Sequence, residues 1–122
     1  MNIAKIDTTS ISFEKGESTL TAQAKEKLIQ IKEQFENLIT VAGKQKLSLG
    51  LVIMGTTDSV GSASFNKILS QKRADKVELT LQKLGLKENR LNAIGLGVID
   101  LKTTNEGARK VLFNVVYFDA ND

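Results

Sequence analysis

Among its 122 residues the chain has no cysteine and no histidine. Without cysteine there is neither a disulfide framework nor a thiolate nucleophile. Missing cysteine fits an oxidising periplasm and many cytosolic proteins alike. Without histidine the commonest general base and the commonest metal ligand are gone. No stretch approaches the roughly 18 continuous apolar residues of a membrane span. The opening Met1-Asn-Ile-Ala-Lys-Ile-Asp7 has neither an apolar signal core nor a lipid-acceptor cysteine. Charge of one sign is scarce too: seventeen basic against fourteen acidic residues leave +3. With only five phenylalanines and one tyrosine, and lysines scattered among acids, a nucleic-acid track is not expected.

What is present suits an ordinary folded domain. Apolar residues make up 41% of the chain and charged residues 25%, enough to bury a core in one domain spanning residues 1–122. Flexible ends are expected at about 1–8 and 119–122. Ile11-Ser-Phe13 suggests a short strand. Ala24, Leu28, Ile31, Phe35, Leu38 and Ile39 follow in steps of four and three, the mark of one helical face. Thr21 is the expected N-cap and Gly43 the expected stop. Leu47-Ser-Leu-Gly-Leu-Val-Ile-Met54 alternates with a period of two, as strands do. Val77, Leu81 and Leu84 share another helical face, with Gly85 at its C-terminal cap. Leu91 to Gly97 reads as a strand, and Lys110 to Phe118 is the most β-prone segment. The order predicts an α+β fold, a two-layer sandwich of the form β-α-β-α-β-β. Its helices pack on one face of a mixed sheet.

The most informative segment runs from Gly55 to Val77, out of a strand and into a helix. Asp58 and Arg73 bracket a run of small residues there. An acid and a guanidinium at one junction can hold both ends of a zwitterion, the acid taking an ammonium and the arginine a carboxylate. Where the helix begins decides whether the two meet. Unbroken from Ser64, it would carry Arg73 roughly 13 Å along its axis, far from the loop. Ser70 is a good N-cap and Leu69 can staple to Ala74. The reading is therefore a short turn through Phe65–Leu69 and a longer helix from near Ser70, with Arg73 in its first turn. Structural roles compete at each position: Asp58 as a turn cap, Arg73 as a surface ion pair, Asn66 as a local hydrogen-bonding residue and Gly61 as a permissive dihedral.

The whole pattern, Thr57-Asp-x-x-Gly-Ser, then Asn66, then Leu69-Ser-x-x-Arg-Ala-x-x-Val77, resembles the OmpA-like C-terminal domain. This family includes peptidoglycan-associated lipoproteins and flagellar motor stator proteins. The likeness runs roughly from Phe13 to Tyr117. It is supported by Leu84-Gly85-Leu86, Gly95-Leu-Gly97 and Thr104-Asn-Glu-Gly107. It implies non-covalent binding of peptidoglycan through the diaminopimelate of the stem peptide. By this resemblance Asp58 and Arg73 are the anchors, with Thr57, Gly61, Asn66, Leu69 and Ser70 around them. The resemblance also implies the periplasmic face of the bacterial envelope, any export signal or anchor lying outside this chain. Three departures stand out. Thr56 replaces the usual histidine, Phe65 a common tyrosine, and Val111-Leu-Phe-Asn114 the usual Asn-Arg-Arg-Val, leaving Arg109 a little earlier. Loss of a cation beside an anionic ligand costs about 1.5–3 kcal/mol, roughly ten- to a hundredfold in affinity.

Two functional expectations follow. The first is a non-catalytic wall-binding module. The second is a structural or interaction domain of the envelope with weakened or lost wall binding, acting by homodimerising or by docking on another envelope protein. An enzyme is disfavoured, because no serine sits in a nucleophile elbow and carboxylate pairs such as Glu14 and Glu17 lie on charged, loop-like segments. No metal cluster, phosphate-binding loop or dinucleotide fingerprint is present, and Gly95-Leu-Gly97 lacks a third glycine, so no cofactor or metal is expected.

Overall fold

The computed structural model describes residues 4–99 and 108–119. Its elements are α1 (Ala4–Asp7), β1 (Ser10–Ser12), α2 (Ala22–Lys44), β2 (Leu47–Thr57), α3 (Ala63–Lys83), a 3-10 turn (Glu88–Arg90), β3 (Leu91–Val98) and β4 (Lys110–Asp119). They form the expected α+β arrangement. The sheet order is β1-β4-β2-β3, with β2 parallel to β3 and antiparallel to β4.

α2, β2 and β4 follow from their side-chain periods. On α2, Ala24, Leu28, Ile31, Phe35 and Leu38 are all buried, and the Thr21 hydroxyl accepts from the Ala24 amide at 3.0 Å. This satisfies one orphan N–H of the first turn. Leu49, Leu51 and Ile53 of β2 point into the same core as Val111, Phe113 and Val115 of β4. Each such side chain contributes about 1.5–3 kcal/mol by leaving water. The opposite sheet face stays open, with Ile94, Val116 and Phe118 exposed.

Several local expectations are corrected. Gly43 does not stop α2. The helix continues to Lys44, and Lys46 takes the left-handed conformation at φ 59°. Residues 4–7 are not a loose end but a helical turn. Ile6 is fully buried, and the Asp7 carboxylate accepts the Val115 amide at 2.9 Å. Asp119 pairs in register with Leu47. Gly85 does follow the last turn of α3, at φ 118°, and Leu86 N–H closes the turn on Leu81 O at 3.1 Å. Thr104–Gly107 lies outside the described residues.

The largest correction concerns α3, which runs unbroken from Ala63 to Lys83 with Ser62 as its N-cap. Ser70 does not cap a second helix. Its hydroxyl bonds back to Lys67 O at 2.8 Å, a pattern serine adopts inside helices. Close packing on the sheet permits this continuity. A Cβ on Gly55 would strike the Ser70 carbonyl, and one on Gly95 would strike the Gln71 backbone. Two bare glycines, on β2 and β3, let α3 lie directly on the strands.

Candidate functional site

The candidate site forms where β2 hands over to α3. Thr56 is the last residue but one of β2, and its hydroxyl donates to Ala108 O at 2.8 Å, tying β2 to the approach to β4. Asp58 then turns the chain: its Oδ1 accepts the Val60 amide at 3.2 Å, a turn that aspartate closes readily. Gly61 at φ 95° completes the reversal, because an L side chain rarely adopts that conformation. Ser62 then caps α3 by accepting from the Phe65 amide at 3.1 Å.

Arg73 reaches this junction without a helix break. Ten residues into α3, it lies about 15 Å from the helix start. However, the loop of residues 58–62 carries that start past the strand end, and the helix returns across β2. Arg73 therefore sits level with Gly55 and Thr56. Its guanidinium is fully buried and is consumed by main-chain carbonyls: Nε to Glu17 O at 2.8 Å, Nη1 to Thr56 O at 3.0 Å and Nη2 to Glu14 O at 3.2 Å. It also lies 5.3 Å from the centre of the Phe13 ring, within cation–π range. Arg73 thus fastens the 14–17 loop to the end of β2. Burial lowers its pKa, the nearby Asp58 opposes that shift and Arg109 adds to it. A guanidinium remains charged throughout.

Asp58 pairs with a different cation. Its Oδ2 accepts from Arg109 Nη1 at 3.2 Å, and Arg109 Nε donates to Phe13 O at 3.2 Å. The junction therefore gathers one carboxylate and two guanidiniums under little solvent. Sequence spacing alone missed the Asp58–Arg109 pair. The pairing depends on the antiparallel register that sets Gly55 against Val111, which no local spacing specifies.

Asp58, Thr57, Asn66 and Leu69 share the wall of one hollow of about 70 Å³ with Lys15 and Phe65. That is room for about two waters, the scale of an amino-acid head group. Neither Arg73 nor Arg109 is on the wall of this hollow, and Ser70 is buried with its hydroxyl accepting the Gly97 amide at 2.8 Å. Gly61 borders a neighbouring hollow of about 370 Å³, between the start of α3 and the end of β3. Asn66 belongs to both. It is 2% exposed, and its side-chain oxygen has no hydrogen-bond partner among the described residues. Another hollow, of about 300 Å³ by Ile39, Leu86 and Arg90, has no buried charge in its wall. Among the described residues no cluster of acids could hold a metal ion, and no helix is long and apolar enough to cross a membrane.

The fold is similar to known structures. Over 89% of both chains it matches the peptidoglycan-associated lipoprotein from Burkholderia pseudomallei, with a TM-score of 0.71 and 23% identity. The C-terminal domain of Helicobacter pylori MotB matches over 93% of this chain and 87% of its own, with a TM-score of 0.73 and 18% identity. In sequence, the chain is 32% identical over 95 residues to outer membrane protein A of Serratia marcescens, covering 78% of this chain and 25% of that protein. The chain thus spans about a quarter of that relative's length. The OmpA family pattern matches residues 12–112, and the chain belongs to the OmpA family.

Proposed function

We propose that this domain is a non-catalytic cell-wall-binding module on the periplasmic face of the envelope, holding peptidoglycan through the diaminopimelate of its stem peptide. The observation that carries this reading is the Asp58 carboxylate in the wall of a head-group-sized hollow, paired with the Arg109 guanidinium and close enough to Arg73 to act on its charge. Diaminopimelate ends in a free ammonium and carboxylate on one carbon. Its ammonium fits Asp58, and its carboxylate fits the positive side supplied by Arg73 and Arg109. Family membership supports the assignment, as does similarity to a lipoprotein named for its association with peptidoglycan. Thr57 and Leu69 shape the hollow, Asn66 joins it to the next, and Gly61 sets the turn. Ser70 acts from behind by holding Gly97 against α3.

Insoluble diaminopimelate-type peptidoglycan tests the proposal. The expected outcome is retention of the wild type and its loss in Asp58→Ala. Arg73→Lys, whose fold is checked by circular dichroism, is expected to bind more weakly. Equal retention of all three removes both residues from the account.

A second reading is an envelope interaction domain that no longer holds wall. It is favoured by Arg109 already occupying Asp58 and by Val116, Tyr117 and Phe118 exposed at the end of β4. It predicts no wall retention, and a mass by light scattering that rises with concentration.

A further inference from the structure

The hollow between α3 and β3 shares Asn66 with the diaminopimelate site and adds groups of its own. Asn66 presents a buried acceptor with no partner; its Oδ1 would stand only 3.8 Å from a Cβ on Gly61, which lines this hollow and not the one at Asp58. A buried unpaired carbonyl calls for an N–H donor. Beside it stands Lys67, whose ammonium donates to Gly95 O and has donors to spare. The first N–H groups of α3, at Ala63 and Ser64, have no intrahelical partner and add positive potential. Leu96 and Val98 supply an apolar wall.

An N–H acceptor, a cation with free amides, and a small apolar wall together complement the last residue of a peptide. We propose that this second hollow takes the C-terminal residue of the bound stem. Its amide N–H bonds to Asn66, its carboxylate faces Lys67 and the start of α3, and a small side chain lies on Leu96 and Val98. The inference rests on the wall-binding reading, and names the part of the ligand that extends past Asp58. Asn66, shared by both hollows, is the junction. The site favours stems ending in a free carboxylate over stems that are amidated or continued there.

The test uses two soluble diaminopimelate-containing stem peptides, one with a free C-terminal carboxylate and one with it amidated, titrated calorimetrically. Wild type is expected to bind the acid about fivefold more tightly, the scale of one exposed ion pair. Lys67 is exposed, so Lys67→Gln folds, and it is expected to bind both peptides alike, at the amide's affinity. Equal binding of both peptides by wild type, or a preference that survives in Lys67→Gln, overturns this inference while leaving the Asp58 grip intact. Binding of neither peptide defeats the wall-binding reading, and this inference with it.

Discussion

Arg73 is the largest side chain among the fully buried ones, and its three carbonyl partners make it a structural hub as much as a binding candidate. Arg73→Ala leaves a cavity and three unsatisfied carbonyls, so a loss of about 3–5 kcal/mol is expected by urea denaturation. Arg73→Lys keeps the charge but loses the fork, and is expected to cost about 2 kcal/mol. Arg109→Gln leaves the Asp58 carboxylate, only 5% exposed, without its cation, for an expected cost of about 1–3 kcal/mol. Adding Asp58→Asn is expected to recover part of that loss. Strictly additive costs in this double-mutant cycle would show the two side chains to be uncoupled. Asp58 and the loop around it were legible from the sequence, because a Thr-Asp pair before a positive-φ glycine specifies its own turn. The Arg109 pairing was not, because it depends on register between strands more than fifty residues apart.

At the scale of elements, α2 was legible because its apolar spacing and its Thr21 cap are local. The continuity of α3 was not. Ser70 and Leu69 carry good capping chemistry, but Gly55 and Gly95 draw the middle of the helix onto the sheet, and packing outweighs that preference. Gly55→Ala is expected to destabilise by about 3 kcal/mol or more, because the new methyl meets the rigid Ser70 carbonyl rather than a movable side chain. An unchanged melting temperature would refute that contact. Farther along α3, Glu78 has a pKa raised first by burial, then by repulsion from Asp75. Folding therefore favours its protonated form, a contribution present at acid pH and lost as pH rises through the folded value. Glu78→Gln is expected to raise the melting temperature at pH 7, with the advantage gone below about pH 4.

At the scale of the whole molecule, the layered α+β order was legible because α2, β2 and β4 each keep one side-chain period and Gly61 and Gly85 fall at the two ends of α3. Hidden from that reading was how the ends converge. The 14–17 loop, the β2–α3 turn and the start of β4 meet through the guanidiniums of Arg73 and Arg109, three separate stretches of chain joined at one corner. There the fold places its buried charges and an open hollow side by side. The most direct test is a crystal of the wild-type protein soaked with free diaminopimelate. The account predicts density in the Asp58 hollow, with an ammonium about 3 Å from the Asp58 carboxylate and the adjoining carboxylate turned toward the arginines. An empty hollow in a crystal whose protein retains peptidoglycan in solution, or the ligand seated on another face, would contradict it.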